Sequence, residues 1–223
     1  ATGAVGARAL ARHGSETLFV LGAGKQSAYQ IAAMLISFPG LKKVYVADPM
    51  NSDNAEKFSV LLEKRLKEEF NIDSKGCIFS AAKNMQKALC ESDIVVTVTP
   101  SGKPVIKKEW IKPGTHLSCI GADMLGKEEI EPEIFKGARI FCDDISQCIN
   151  VGESEIPIKR GIIEKGDIAG EIGQVLSGEK EGRTSEEDIT IFDATGIALL
   201  DPITAREAIE DARIKQLGSQ VEI

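Results

Sequence analysis

Short apolar runs alternate with amphipathic stretches along most of this 223-residue chain. The first run, Leu18-Phe19-Val20-Leu21, is bounded by Gly22 and Gly24. A strand covered on both faces reads as continuously apolar, so this run predicts a buried parallel strand. Tyr29, Ile31, Ala32, Met34, Leu35 and Ile36 then recur at helical spacing, and Lys43 to Ala47 forms a second strand ending at Asp48. Asn51 to Phe70 reads as a long amphipathic helix that Asn51 or Ser52 can cap. Its expected apolar stripe is Phe58, Val60, Leu61, Leu62, Leu66 and Phe70, and its Glu/Lys-rich remainder reads as a solvated face.

The alternation continues with a short strand at Cys77 to Ser80, a helix at Met85 to Cys90, and the apolar run Asp93 to Pro100. A buried strand follows at His116 to Asp123, then a helix over 130–136 and a strand at Arg139 to Cys142. Repeated strand–helix order predicts an α/β fold built on a doubly wound parallel sheet. Residues 144–187 read as short helices, glycines and charges, including the apolar spacing of Ile168 to Leu176. A last strand at Ile189 to Asp193 precedes Gly196 and a helix from about Ile197 to Leu217. Pro202 implies that this helix is kinked or starts at Asp201-Pro202.

The chemistry starts where the first strand meets its helix, at Gly22-Ala23-Gly24-Lys25-Gln26-Ser27. Two glycines allow a tight turn and close approach of the backbone to a ligand, and the N–H groups opening the helix point at a pyrophosphate. Asp48 ends the next strand, placed to accept from the adenosine ribose hydroxyls. Strand, Gly-x-Gly, helix, strand and acid together form the dinucleotide-binding fingerprint of a Rossmann domain. Ser27 stands where the third glycine is usual, small enough to permit close helix–strand packing. Asp48 repels a 2′-phosphate and is followed by Pro49 rather than a cation, so NAD(H) is favoured over NADP(H). An alternative stays open, that Asp48 merely caps the next helix.

Bulk properties narrow the partners. A formal charge of −7 argues against nucleic acid or anionic membrane. The apolar stretches stop short of a membrane span, and a cytoplasmic location is expected. Cys77, Cys90, Cys119, Cys142 and Cys148 make no C-x-x-C pair and read as reduced packing residues, not as a disulfide framework or zinc site. His13 and His116 are too few for a histidine-rich metal site. The chain opens at Ala1 without Met, apparently mid-helix, and is expected to be a piece of a longer protein.

Ligands of such folds bind at the carboxyl ends of the strands, which brings Thr97, Thr99 and Ser101 near a nicotinamide ribose. The competing reading is that these hydroxyls satisfy backbone groups of the next turn. Asp123 ends the strand after Gly121, where a carboxylate can take a proton from a substrate ammonium, stabilise an iminium cation or orient water. Taken alone it is equally an ordinary turn or helix cap. Lys127 is either a solvated lysine or a contact to the cofactor's phosphates.

Thr2-Gly3-Ala4, the Gly22–Ser27 loop, Thr97-Val98-Thr99 and Gly121-Ala122-Asp123-x-x-Gly126-Lys127 together resemble the ornithine cyclodeaminase and mu-crystallin family. Gly178 to Arg183 followed by Thr190 to Gly196 extends the resemblance over essentially the whole chain. It implies an NAD-linked enzyme of amino or imino acids: an ornithine cyclodeaminase first, or an alanine dehydrogenase or a ketimine or pyrroline-carboxylate reductase. A non-catalytic binding protein, as among mu-crystallin relatives, is the contrasting possibility. By position, the Gly22–Ser27 loop, Asp48, Thr99, the strand Leu117, Ser118, Cys119 and Ile120, Lys127 and Ala194 would line the cofactor. Asp123 matches the family's acid/base and Thr195 a position bordering the substrate. In the cyclodeaminase reaction hydride leaves the ornithine α-carbon, the δ-amine attacks the resulting imine, ammonia departs, and the hydride returns to give proline.

Two departures qualify the match. Ala1 stands where the family places an arginine that grips the substrate carboxylate, and the family's N-terminal substrate and dimerisation part is absent. The expected organisation is a linking helix over 1–14, a dinucleotide-binding domain over 15–196, and a helix and tail over 197–223 that return to the absent domain and leave an apolar patch exposed here. A homodimer is expected of the full-length protein.

Overall fold

The computed structural model describes residues 2–74 and 76–219; Ala1 and residues 220–223 of the expected tail lie outside them. Helix α1 (Thr2–Leu10) leads into β1 (Thr17–Leu21), α2 (Lys25–Ser37), β2 (Lys43–Ala47), α3 (Ser52–Phe70), β3 (Ile78–Ala81), α4 (Met85–Glu91) and β4 (Ile94–Thr97). After β5 (Gly102–Ile106) come β6 (His116–Cys119), β7 (Glu128–Ile130) and β8 (Arg139–Cys142). The chain then runs through α5 (Ile145–Val151), α6 (Glu155–Lys159), β9 (Ile168–Glu171), α7 (Ile172–Leu176), β10 (Thr190–Asp193) and α8 (Leu200–Ile214).

Eight of these strands make one sheet in the order β3-β2-β1-β4-β6-β10-β8-β9, and every pairing in it is parallel. The expected doubly wound α/β fold is present. Strand order reverses between β1 and β4, which opens the crevice that such sheets offer to ligands. Side chains alternate across the pleat. Leu18 and Val20 pack with Ile31 and Met34 of α2 and Leu62 and Leu66 of α3. Phe19 and Leu21 join Val95, Leu117, Ile140 and Ile191 on the opposite face.

Helix α1 approaches the sheet through small residues. A Cβ on Gly6 would lie 2.1 Å from the Phe192 ring, and Ser118 Oγ donates to the Gly3 carbonyl at 2.9 Å. His116 is wholly buried between the Thr190 and Ser118 hydroxyls, each 2.9 Å from a ring nitrogen.

Several local expectations change. The helix expected over 130–136 is instead the end of β7 followed by a 3₁₀ turn at Pro132–Ile134. The N–H groups of Glu129 and Ile130 donate to a buried side chain, not along a helix. β5 pairs with β7 in a small second sheet; Pro104 and the polar start of β5 hide it from the apolar pattern. Ile168 to Leu176 is half strand, half helix. On α3, Val60 (80% exposed) and Leu61 leave the expected stripe, and Tyr29 and Ile36 of α2 are likewise exposed, while Ala55 and Ser59 are buried. Asn51 caps α3 by accepting from Asp53 N and Asn54 N. α8 starts at Leu200 with Pro202 in its first turn and buries none of its residues; Leu200, Ile203 and Ile209 face outward. Among the described residues no helix is long and apolar enough to cross a membrane.

Candidate active site

The glycine loop sits at the carboxyl end of β1. Gly22 has φ +117°, and a Cβ there would lie 2.9 Å from the Val98 carbonyl, so both conformation and the neighbouring loop after β4 demand glycine. Ser27, the departure from the three-glycine pattern, is buried and stitches the loop: its hydroxyl donates to Gly22 O at 2.8 Å and accepts from Gly24 N at 3.2 Å. Nothing lies within 4 Å of the position a Gly24 Cβ would take, so the N-terminus of α2 opens onto free space. Lys25 and Gln26 are exposed there.

Asp48 follows β2 beside this loop. Its Oδ1 accepts from Met50 N (3.0 Å) and Asn51 N (3.1 Å), and its Oδ2 from the Asn54 side-chain amide. It therefore braces the turn before α3, while Asn51 is the cap itself. A cavity of about 210 Å³ borders Asp48, Ala81, Ala82 and Met85. Lys83 also lines it, with its ammonium 3.7 Å from Glu56.

A second cleft, of about 380 Å³, opens across the ends of β4 and β6. Gln26, Gln30, Thr99, Ile120, Asp123 and Lys127 line it. Asp123 is exposed and pairs with the Lys127 ammonium at 2.5 Å, so the acid faces solvent with a cation alongside. Gln30 is buried and its Oε1 meets no partner.

The structure thus brings Gln26, Thr99, Ile120, Asp123 and Lys127 to one cleft. The side chains of Leu117, Ser118 and Cys119 do not reach it: Leu117 and Cys119 pack in the core, and Ser118 bonds toward α1. Burial pushes the Cys119 thiol well above its ordinary value. Thr97 is wholly buried. Ala194 packs with Leu10 and Phe192, and Thr195, one strand over, contacts Gln147 at 3.4 Å. Ser101 turns its hydroxyl to the Lys103 carbonyl, the local backbone role left open by the sequence.

Beneath the cleft lies a group of buried acids that periodicity misses. Glu129 accepts from Thr99 and Gly121, Glu153 accepts from Glu129 N (2.7 Å) and Ile130 N (2.8 Å), and Asp193 accepts from Glu153 N (3.0 Å) and Ser154 N (2.8 Å). Burial, reinforced by the Glu129 charge, holds the Glu153 carboxyl well above the usual range. Burial raises the Glu129 carboxyl as well; both Glu129 oxygens accept, whereas Glu153 Oε2 meets no hydrogen-bond partner. Burial pushes Asp193 up to about 6. Cys142 and Cys148 come together with Asp193, but the Asp193 oxygens already accept from Glu153 N and from both Ser154 donors. Against the hydrogen bond from Cys148, which lowers it, burial and the neighbouring Asp193 and Asp143 charges raise the Cys142 thiol above its ordinary value.

With this geometry, the comparison with known proteins is decisive. The family model described as ornithine cyclodeaminase/mu-crystallin matches residues 1–216. The chain belongs to that family. Among its members, the chain is 37% identical to the alanine dehydrogenase of Archaeoglobus fulgidus over 99% of its own length and 64% of the relative's. A solved archaeal alanine dehydrogenase dimer with bound NAD superposes with a TM-score of 0.88 at 36% identity, covering all of this chain and 65% of that one. The Thermococcus litoralis Δ1-pyrroline-2-carboxylate reductase, solved with NADH and L-proline, gives 0.89 at 30% identity, covering 99% and 65%. The chain therefore spans under two thirds of the length of these family members.

Proposed function

We propose that this chain is the dinucleotide-binding part of a longer NAD(H)-linked enzyme that interconverts a small amino acid and its imino counterpart. The observation that carries the reading is the meeting of the α2 N-terminus, Thr99, Asp123 and Lys127 on one cleft at the carboxyl ends of β1, β4 and β6. The fit to a dinucleotide rests on the tight approach at Gly22, the open space at Gly24 and the Asp48 carboxylate beside the 210 Å³ cavity. The Asp48 carboxylate, with Lys83 of the same cavity paired to Glu56, supports NAD(H) over NADP(H). The names of the relatives support the substrate class.

When bound, the nicotinamide supplies or takes up hydride. The chain's own work is positioning and proton handling. The first-turn N–H groups of α2 hold the pyrophosphate, Gln26 and Thr99 border the sugar on the reacting side, and Asp123 exchanges a proton with the substrate nitrogen. Lys127 pairs with Asp123 and orients it at the cleft. Thr195 and the remaining substrate contacts fall to the border with the part of the protein outside this chain. The apolar face of α8 supports packing on that part, and a homodimer is the assembly we expect of the longer protein.

A dehydrogenase or imine reductase takes first place because the relatives at 33–37% identity bear such names, while one at 30% is named a cyclodeaminase. Ornithine cyclodeamination is the second reading, favoured by the family match itself. Incubating the full-length protein with NAD and either L-alanine or L-ornithine separates them. Net NADH with alanine marks the dehydrogenase, and proline plus ammonia without net NADH marks the cyclodeaminase. NADH binding without turnover of any amino or imino acid contradicts both and leaves a binding protein.

A further inference from the structure

Glu129 is buried on β7, directly behind the cleft. Its Oε1 accepts from the Thr99 backbone N–H at 2.6 Å and from the Thr99 hydroxyl at 2.7 Å. Its Oε2 accepts from the Gly121 N–H at 3.0 Å. One carboxylate thus ties the loop after β4 to the loop after β6, the two loops that supply Thr99, Ile120 and Asp123. The fit is close: a Cβ on Gly121 would lie 2.3 Å from Glu129 Oε2 and 2.4 Å from the Thr99 carbonyl. All three donors end on this one side chain, and burial raises its carboxyl above the ordinary value.

We propose that Glu129 is a positioning residue of the cofactor cleft: it clamps the Thr99 and Gly121 loops together and, by taking the only hydroxyl proton of Thr99, leaves that oxygen as an acceptor for a sugar hydroxyl on the nicotinamide side of the dinucleotide. This rests on the dinucleotide reading of the cleft. The Thr99 oxygen has one proton to give, and Glu129 receives it. Ser101 N donates to the same oxygen only at 3.3 Å, so acceptor capacity remains for a donor in the cleft. The backbone of Glu129 is itself fixed, since its N–H ends on Glu153 at 2.7 Å, and Glu153 N–H ends on Asp193. The clamp is therefore anchored to the end of β10 and does not move with the exposed Asp123.

The test compares NADH with ADP, which lacks the nicotinamide and its ribose, by calorimetric titration of this chain. In the wild-type protein both bind, NADH more tightly. Glu129→Gln keeps the shape but turns an NH₂ toward one of the clamped donors. It is expected to weaken NADH about tenfold, the usual consequence of a buried polar group left unpaired, while ADP changes less than about twofold. Thr99→Val is expected to reproduce the selective NADH loss and Thr99→Ser to restore it, a rescue that a purely structural role of the loop does not give. An NADH-to-ADP affinity ratio in Glu129→Gln that matches the wild-type ratio overturns the proposal. If Glu129→Gln does not fold, full NADH affinity in Thr99→Val overturns it instead. A wild-type chain that binds neither nucleotide contradicts the dinucleotide reading itself, a result distinct from failure of the clamp alone.

Discussion

Asp48 Oδ2 accepts the side-chain amide of Asn54 at 2.7 Å, and the same amide lies 3.5 Å from the Ala23 carbonyl in the glycine loop. Asn54 therefore links the acid to the loop that would hold the pyrophosphate. Asn54→Ala is expected to cost less than about 1 kcal/mol of stability, as for an exposed hydrogen bond. It should weaken NADH about threefold while keeping NADH preferred over NADPH, because the Asp48 charge stays in place. Nucleotide titration beside a urea unfolding curve reads both quantities.

Asp123 carries the proposed chemistry and little of the stability. It is about half exposed, and exposed pairs such as Asp123–Lys127 contribute at most about 1 kcal/mol. Asp123→Asn is expected to lower turnover of the full-length protein by about a hundredfold or more, the scale of a lost general acid/base. NADH affinity and the unfolding midpoint should stay near wild type.

Two glycines should separate binding from folding. Gly24→Ala meets nothing within 4 Å and has extended backbone (φ −94°), so stability should change by less than about 0.5 kcal/mol. The added methyl occupies the space proposed for the pyrophosphate, and NADH affinity should fall at least about tenfold. Gly6→Ala drives a methyl into the Phe192 ring and should destabilise by about 1–3 kcal/mol or more. Melting temperature and NADH titration measured on both variants check the contrast.

Buried His116 sets an acid-side dependence of stability. Burial, aided by Arg183, lowers its pKa from 6.5 to about 3. The unfolded chain binds the proton that the folded one refuses, so this contribution is full above about pH 6.5 and is lost as pH falls toward 3. The stability advantage of wild type over His116→Gln should therefore grow from pH 4.5 to 6.5 by about 2–3 kcal/mol and stay level above that. Asp193 works in the opposite sense. Its pKa is raised from 3.8 to about 6, so its contribution declines as pH rises through that interval. Urea unfolding at several pH values measures both trends as differences from the variants.

The sheet was legible because its strands are nearly uncut apolar runs, as at Leu18–Leu21 and Ile94–Val96, and because Gly22, Gly24 and Asp48 fall at their ends. Asp123 was read as the end of its strand, but β6 stops at Cys119 and Asp123 stands in the loop that follows. What escaped was chemistry carried by polar residues in unexpected burial. Glu128-Glu129-Ile130 has the composition of a solvated helix start, and only tertiary contacts from Thr99, Gly121 and Glu153 reveal that Glu129 is buried. Glu153 and Asp193 escaped for the same reason: single-chain patterns carry no sign of a partner many residues away. The strand interior Leu117–Cys119 shows the converse limit, since lying in the right strand does not turn a side chain toward the cleft.

The central claim, a dinucleotide cleft that prefers NAD(H) through Asp48, is tested most directly by calorimetric titration of this chain and Asp48→Ala with NADH and with NADPH. The expected result is binding of NADH in preference to NADPH by wild type, with NADH weakened about tenfold and the preference largely removed in Asp48→Ala. Binding of NADPH as tight as NADH by wild type, or an Asp48→Ala variant indistinguishable from it, contradicts the account.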